Sequence, residues 1–392
     1  MQGLAPFWRT KGSLIGTILA GSLLYGGATA AASAAEASPQ AEPPTPHIAL
    51  LLPIKSKSLG TVAEAIKSGA VAAQAKLAES RTPILRLYPT GEKEEDTVTQ
   101  YKRALAEGAV GVIGPVTRPA ISQIAATGRL DIPVLALNAL DDGALSVTNL
   151  YGVGLSIESE AREIARLMRE DGRSRPAVIL TDAPLTKRMQ QAFSAEWQIK
   201  GGSTTPVVYD AKTVGLAKLK ELLNQADADA VFLASDLKKA RLVRPYIGND
   251  RPVYATSQIW GGKFGKTAAN VDLLGIKFVD MPWLLDPHNP EVAAYASPDK
   301  PLSADLSRLY ALGIDAYRLS LQLIVAEAGV AIEMQGVTGG LRLDKSREFH
   351  RHPVRGEIGG EPLTPPPPAS PPAETPAETS ASGTTPNPST AR

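Results

Sequence analysis

The chain of 392 residues contains no cysteine. This absence excludes disulfide bonds, cysteine nucleophiles, thiolate metal sites and the acylated cysteine of a lipoprotein. The chain also has almost no net charge, because 41 basic side chains and 40 acidic ones leave a formal charge of +1. Nucleic-acid binding needs a basic surface, so we expect no nucleic-acid partner.

What remains is an ordinary globular composition, with 43% hydrophobic residues. A chain of this length is long enough for roughly two domains of common size.

The N-terminus has the pattern of an export signal. Arg9 and Lys11 precede an uncharged run over residues 12–35, and Ala32-Ser33-Ala34 fits a small-x-small cleavage rule. The pattern predicts a signal peptide over residues 1–35, cut near Ala34 or Ala35. The alternative is an uncleaved anchor, since the run is long enough to cross a bilayer. We expect contact with a membrane only in that second case.

Proline-rich segments flank the part of the chain that we expect to fold. Residues 36–46 form a Pro/Ala linker, and residues 361–392 are Pro, Thr, Ser and Ala with little to bury. Such composition predicts a disordered tail. The folded part is therefore expected over about residues 47–358.

The stretch from Gly108 to Asn138 sets the fold class. An apolar run over residues 110–113 ends at Gly114-Pro115, a helical pattern follows from Arg118, and a second apolar run covers 132–137. This order of strand, tight turn, helix and strand is the βαβ unit of a parallel sheet. Ligands of open parallel sheets bind at the carboxyl ends of the strands, so the turn also indicates where a ligand would lie.

The same alternation fills the rest of the folded part and restarts near residue 151. We therefore predict an α/β protein with two doubly wound parallel-sheet lobes joined by a hinge of several crossings. Lobe 1 is expected over residues 47–150 plus about 285–330. Lobe 2 is expected over 151–284 plus about 336–358.

Several segments resemble a known family when taken in order. They are HIALLLPI from His47, IGPVTRPAISQIA from Ile113, IPVLALN from Ile132, FVDMPWLL from Phe278, LYALGIDAYRL from Leu309 and GVTGGLRLD from Gly336. The chain resembles the type I periplasmic-binding fold and, within it, the penicillin-binding protein activator group of LppC/LpoA type.

This resemblance implies a non-enzymatic periplasmic regulator that binds a class A penicillin-binding protein and stimulates peptidoglycan synthesis. Larger members of that family are outer-membrane lipoproteins with an N-terminal helical-repeat domain. The present sequence shows neither the lipobox cysteine nor that repeat domain, so we expect a periplasmic protein without a lipid anchor.

The candidate ligand residues are those that follow strands. Gly114, Pro115 and Thr117 stand where amino-acid-binding relatives hold a carboxylate with backbone N–H groups, which a helix N-terminus favours. The alternative is a turn and N-cap that the fold alone requires. Asn138 lies in the second expected ligand loop, which lacks the hydroxyl groups of an amino-acid pocket.

Asp182, Ser235 and Ser257 follow strands of the predicted lobe 2 and are candidates to face the same cleft. Residues of these types also cap strand ends and turns without binding anything. If the cleft does take a small polar ligand such as an amino acid, the chain would be a solute-binding protein of an ABC transporter. That is our second hypothesis.

Three motifs are too incomplete to predict an enzyme. The loop Trp260–Thr267 resembles a P-loop but has Trp260 at the leading glycine position. Ser235 and Lys238 match S-x-x-K without the accompanying motifs of penicillin-binding enzymes. His350 and His352 have too few neighbouring ligands for a metal site. We therefore expect no catalysis, no cofactor and no metal.

Overall fold

Two β-sheets, each covered by helices on both faces, organise the chain in a computed structural model. The structure describes residues 45–78, 82–93, 95–181, 183–208, 215–295, 297–298, 300–327 and 330–363. The predicted signal peptide, and most of the predicted linker and tail, lie outside these residues.

The strands and helices alternate along most of the described chain. The strands are β1 (His47–Leu52), β2 (Ile84–Pro89), β3 (Ala109–Ile113), β4 (Val134–Ala136), β5 (Leu150–Val153), β6 (Pro176–Leu180), β7 (Thr205–Val208), β8 (Ala230–Ala234), β9 (Val253–Ala255), β10 (Lys277–Asp280), β11 (Glu333–Gly336), β12 (Gly339–Leu343), β13 (Glu348–His352) and β14 (Val354–Glu357). The helices are α1 (Gly60–Leu77), α2 (Glu95–Ala106), α3 (Arg118–Ala125), α4 (Ile157–Glu170), α5 (Pro184–Gln198), α6 (Leu219–Gln225), α7 (Leu237–Val243), α8 (Pro282–Leu285), α9 (Pro290–Ala293) and α10 (Ala304–Val325).

The first sheet has eight strands in the order β11-β12-β13-β5-β4-β3-β1-β2. Its pairs from β13 to β2 are parallel, and β11, β12 and β13 pair antiparallel. The second sheet has six strands in the order β14-β10-β9-β8-β6-β7, parallel except where β14 joins β10. We call the first sheet with its helices the first lobe and the second sheet with its helices the second lobe. The predicted α/β class with two parallel-dominated sheets is confirmed.

Strand β1, which lies between β3 and β2, is buried along its whole length because helices cover both faces of the sheet. Ile48, Leu50 and Leu52 point to one side and pack in the core that includes α1 and α10. Ala49 and Leu51 point to the other side, towards α2 and α3. Alternate side chains of a strand lie on opposite faces, so one apolar strand supplies two cores.

Strand β6 of the second sheet supplies two cores in the same way. Ala177 and Ile179 pack towards α6 and α7, whereas Val178 and Leu180 pack towards α4 and α5. Each lobe is therefore a three-layer sandwich of helices, sheet and helices.

Helices α1 and α10 cross closely because glycine stands at the contact on each of them. A Cβ atom added at Gly69 would overlap the carbonyl oxygen of Tyr310, and one added at Gly313 would overlap that of Ile66. The late helix α10 is thereby fixed on the first lobe, although the strand that precedes it, β10, belongs to the second.

The C-terminal region corrects the predicted boundary of lobe 2. Residues 336–358 were expected there, but β11, β12 and β13 extend the first sheet, and only β14 joins the second. The cause is Asp315 on α10, whose carboxylate accepts hydrogen bonds from the backbone N–H of Val337 (3.0 Å) and of Thr338 (2.8 Å). This tertiary contact holds the β11–β12 turn on the first lobe. Strand β5, at 150–153, also lies in the first sheet, slightly beyond the predicted boundary at 150.

The described chain passes between the two sheets in three places. It crosses between β5 and α4, between β10 and α10, and at Pro353, which alone separates β13 from β14. Three crossings between the sheets are the multi-crossing hinge that the sequence predicted.

Candidate functional site

A cleft with a volume of about 1090 Å³ lies between the two lobes. Its first-lobe wall includes Asn138 and the ends of β12 and β13, and its second-lobe wall includes residues of α4 and α5. The crossing segment over residues 152–157 runs along it. This is the place that the carboxyl-end rule for parallel sheets indicates for a ligand.

Most acidic side chains of the cleft already have partners within the protein. Glu158 forms an ion pair with Arg188 (2.9 Å), and Asp344 accepts from His350 (2.7 Å). Glu348 accepts from the backbone N–H of Leu140 at 2.8 Å.

Three arginines that line the cleft, Arg118 on α3, Arg162 on α4 and Arg342 on β12, make no ion pair with any residue that the structure describes. Arg118 and Arg342 come from the first lobe, and Arg162 comes from the second. The unpaired charge in the cleft is therefore positive, which favours a ligand with an anionic group.

Behind the cleft, an ion pair joins the two lobes in the protein interior. Arg351 on β13 donates to Glu160 on α4 at 2.9 Å, and their side chains are only 4% and 6% exposed. The second carboxylate oxygen of Glu160 accepts from the backbone N–H of Ser257 at 3.0 Å. A buried charge needs such partners, because its transfer from water is costly when it stays unpaired.

A second buried ion pair crosses between the lobes beside the first. Arg308 on α10 donates to both oxygens of Asp280 at the end of β10, at 2.7–3.1 Å. It also donates to the backbone oxygens of Ser257 (3.1 Å) and Trp260 (3.2 Å). Ser257 thus links the two pairs. We call the set Glu160, Ser257, Asp280, Arg308 and Arg351 the interlobe network.

Burial and pairing shift the ionisation of these groups in opposite senses. Burial raises the pKa of Asp280, and hydrogen bonds from Arg308 oppose that shift. Burial lowers the pKa of Arg308, but the hydrogen bonds with Asp280 and the negative charges of Asp280, Glu160 and Asp305 together outweigh it and raise the pKa above its ordinary value. The Arg308 guanidinium therefore stays charged, and its donors hold the buried carboxyl group of Asp280.

Asp315, although separate from the network, supports it from the first lobe. Its carboxylate is fully buried, and burial raises its pKa against the hydrogen bonds from Thr338. Thr338 donates its N–H (2.8 Å) and its hydroxyl (2.6 Å) to Asp315, and its carbonyl oxygen lies 3.5 Å from a nitrogen of Arg351. The turn between β11 and β12 thus helps to position the arginine that reaches the other lobe.

Comparison with known proteins identifies the family of this architecture. A family model described as "LppC putative lipoprotein" matches residues 40–353. The chain belongs to the LppC family.

Curated relatives of this LppC chain are named penicillin-binding protein activator LpoA. The protein of Photobacterium profundum is 24% identical over 349 residues, which cover 81% of this chain and 57% of the relative. The protein of Haemophilus influenzae is 27% identical over 316 residues, which cover 78% of this chain and 52% of the relative. The chain spans about half the length of these relatives.

Solved structures share the fold. The "LpoA (YraM) C-domain from Haemophilus influenzae, a regulator of PBP1A" is 23% identical with a TM-score of 0.65, covering 81% of this chain and 100% of that one. A "putative branched-chain amino acid ABC transporter" from Chromobacterium violaceum is 37% identical with a TM-score of 0.70, covering 80% of this chain and 99% of that one. The fold of this LppC chain is therefore that of type I periplasmic binding proteins.

The turn that the sequence singled out serves the fold of the LppC chain. Thr117 is the N-cap of α3 and accepts from the backbone N–H of Ala120 at 3.4 Å. Gly114 has a φ of +104°, and a Cβ atom there would overlap the carbonyl oxygen of Leu51. Gly114 and Pro115 are buried and do not line the cleft. These contacts are those of the alternative interpretation, a turn followed by a cap.

The other predicted site residues lie at different depths. Asn138 lines the cleft, donates to the carbonyl oxygen of Val116 (3.0 Å) and accepts from its neighbour's N–H. Ser257 is buried in the interlobe network, and Ser235 is buried with its hydroxyl donating to the carbonyl oxygen of Asp236 (2.9 Å). Asp182 lies outside the described residues. Among the described candidates, the structure brings only Asn138 to the cleft surface.

Sequence reasoning missed the charged members of the interlobe network. Of these, Asp280 stands in FVDMPWLL, and the supporting residues Asp315 and Thr338 stand in LYALGIDAYRL and GVTGGLRLD, all segments that carried the family resemblance. A charged residue inside an otherwise apolar segment was the available signal, since buried charges are rare without partners.

Tryptophans of the P-loop-like stretch and of the family-like segment FVDMPWLL pack against other aromatic rings. Trp260, in the P-loop-like stretch, is 4% exposed and packs against Phe264 and Phe278. Trp283 packs against Tyr310 with ring centroids 5.4 Å apart. The described residues contain no metal-binding cluster of histidine and carboxylate side chains, and none of their helices is long and apolar enough to cross a membrane.

Proposed function

We propose that this chain is a non-enzymatic periplasmic regulator that binds a class A penicillin-binding protein and stimulates its peptidoglycan synthesis. The observation that carries the proposal is the match to the LppC family over residues 40–353. Relatives named activators, and a solved C-domain described as a regulator of PBP1A, support the same role.

The interlobe network supports an action by contact. Its ion pairs are removed from water and held by several hydrogen bonds, so opening the lobes would expose or strand charged groups at substantial cost. A body with fixed lobes presents one constant surface to a partner. If that surface fits the active conformer of the synthase better than the inactive one, binding raises the population of the active conformer.

Export to the periplasm is part of the proposal. The basic start at Arg9 and Lys11, followed by the uncharged run over 12–35, supports it. Fractionation of cells and N-terminal sequencing of the mature protein test this step. A mature chain that begins near residue 35 in the periplasmic fraction is expected, and an unprocessed chain in the cytoplasm would contradict it.

The main test is reconstituted synthesis. A purified class A penicillin-binding protein and its lipid-linked precursor are mixed with and without this chain, and glycan polymerisation and peptide cross-linking are measured. We expect faster synthesis together with direct binding in a pull-down. A heat-unfolded sample of the same chain is the control. Unchanged rates with no binding to any class A enzyme of the source cell would refute the proposal.

A solute-binding role for an ABC transporter is the second candidate. It is favoured by the 37% identical structure described as a branched-chain amino acid ABC transporter and by a cleft lined with unpaired arginines. A carboxylate between Arg162 and Arg342 would close the lobes on a ligand. Thermal shifts with amino acids separate the two roles, because a ligand of the folded state raises the melting temperature by mass action.

A further inference from the structure

The charged residues that line the interlobe cleft do not balance. Its four carboxylate side chains face six arginines, which are Arg118, Arg162, Arg166, Arg188, Arg342 and Arg351. Arginine keeps its charge at any physiological pH, so the walls carry an excess of positive charge. A cleft lined by one sign of charge concentrates ions of the opposite sign.

The four carboxylates of the cleft are already engaged within the protein. Glu158 and Glu163 each form an ion pair with an arginine of α4 or α5. Asp344 accepts from a histidine, and Glu348 accepts from a backbone N–H. A free amino acid needs a carboxylate for its ammonium group as well as a cation for its carboxylate. Among the described residues the cleft offers unpaired cations but no carboxylate without a partner, so it suits an anion better than a zwitterion.

Arg162 and Arg342 are the arginines of the cleft with most to offer a ligand. No hydrogen bond or ion pair joins either side chain to a residue that the structure describes. Arg162 is half-buried and Arg342 is exposed, and their guanidinium nitrogens are open to solvent. Arg118 makes no ion pair either, but it lies near enough to Asp141 for their charges to interact. A ligand in the cleft can therefore reach two guanidinium groups that have all their donors free.

The two free arginines stand on opposite walls of the cleft. Arg162 lies on α4 of the second lobe, and Arg342 lies on β12 of the first. Because the buried ion pairs of the interlobe network hold the lobes, a ligand that meets both arginines must extend from one wall to the other. The volume of about 1090 Å³ leaves room for it, since pockets for drug-sized ligands measure roughly 300–1,000 Å³.

We propose that the interlobe cleft binds a small extended polyanion, a molecule with two or more carboxylate or phosphate groups and no ammonium group. Arg162 and Arg342 hold its two ends, and Arg118 adds to the attraction. The site does not depend on the regulator role, which rests on the family match. It also differs from the solute-binding candidate, because a single amino acid is not its ligand.

Isothermal titration calorimetry of the full chain at constant ionic strength tests the proposal. The probes are acetate, glutarate, citrate, inorganic tripolyphosphate and leucine. Affinity should rise from acetate to glutarate to citrate, and citrate or tripolyphosphate should bind more tightly than acetate by a factor of about ten or more, because each added anionic group meets another arginine. The tighter of these two probes assigns the ligand's groups as carboxylates or phosphates. Leucine should bind no more tightly than acetate.

Substitutions in the cleft show whether the two free arginines hold the ligand. Arg162→Gln and Arg342→Gln should each weaken citrate and tripolyphosphate binding by a factor of about five to ten, since each removes one charge-assisted contact. Neither arginine has a partner within the described protein, so neither variant should lower the melting temperature. Lys238→Gln is the matched control. Lys238 is exposed and lies outside the cleft, so this variant should leave binding within about twofold, as expected for a distant screened charge.

Three results would overturn the proposal. They are no binding of citrate or tripolyphosphate, tighter binding of leucine than of either polyanion, or a loss of binding in Lys238→Gln as large as in Arg162→Gln and Arg342→Gln. None of these results decides the regulator role, which the synthesis assay tests separately.

Discussion

The substitution Arg351→Ala tests the interlobe network most sharply. It leaves Glu160, 6% exposed, without the only cation that the described structure pairs with it. Removing one partner of a buried ion pair destabilises proteins by about 3–5 kcal/mol, because the remaining charge is uncompensated. For a folded body of about 310 residues, an unfolding entropy of about 2.1 cal/mol/K per residue converts this into a melting temperature lowered by about 5–8 °C.

Arg355→Ala is the matched control on the neighbouring strand. Arg355 pairs with Glu170, but each of these side chains is 57% exposed. Exposed pairs contribute about 0–1 kcal/mol, so the melting temperature should fall by no more than about 1–2 °C.

The assay is thermal unfolding by circular dichroism at pH 7, with denaturant titration as a second measure. The double variant Glu160→Leu with Arg351→Met should recover much of the loss, because replacing both charges by apolar groups removes the stranded carboxylate. Equal losses in Arg351→Ala and Arg355→Ala, or no recovery in the double variant, would refute the energetic role given to the network.

Two further predictions concern helix contact and acid stability. Gly313→Ala should destabilise the first lobe by about 1–3 kcal/mol or more, because the new Cβ overlaps a carbonyl oxygen of α1. Gly215→Ala, where a Cβ meets nothing within 4 Å, should be close to neutral in the same thermal assay. Asp171→Asn should remove a contribution to the free energy of unfolding that depends on an ionised carboxylate at this position. Burial raises the pKa of Asp171, but the hydrogen bonds from Lys277 (2.6 Å) and Tyr254 (2.6 Å), together with the charge of Lys277, outweigh burial and hold the pKa below its ordinary value. Its contribution is present above about pH 4 and is lost as pH falls, so the melting-temperature gap between wild type and variant should close below about pH 4. A gap that stays constant from pH 7 to pH 3 would contradict this assignment.

Local sequence patterns were sufficient to predict the sheets and the helix layers that cover them. The apolar run from Ile48 to Leu52 predicted a strand buried on both faces, and the structure packs its alternate residues into two cores. The pattern did not predict the correct lobe for residues 336–358. Strand and turn signals locate the strands in the sequence, but they do not show which sheet these strands pair with. That choice depends on Asp315, which meets Thr338 from 23 residues away.

The site was harder to predict because its contacts are distant in sequence. Glu160 and Arg351 are 191 positions apart, and Asp280 and Arg308 are 28 apart. No local spacing rule relates such residues. Thr117 and Asn138 could be found because they follow strands, but the same position suits a cap as well as a ligand site, and sequence alone could not separate these roles.

The most direct test of the fixed-lobe account is a distance measurement between the lobes. The chain has no cysteine, so spin labels react only at introduced sites. Arg129→Cys on the first lobe and Ile199→Cys on the second suit this purpose, because the native side chain of Arg129 is 90% exposed and Ile199 is 73% exposed. Double electron–electron resonance should give one narrow distribution of distances between the two labels. Millimolar amino acids should leave this distribution unchanged, and the further substitution Arg351→Ala should broaden it. Two distances in the free protein, or a shift when an amino acid binds, would contradict the account and favour a hinged solute-binding protein.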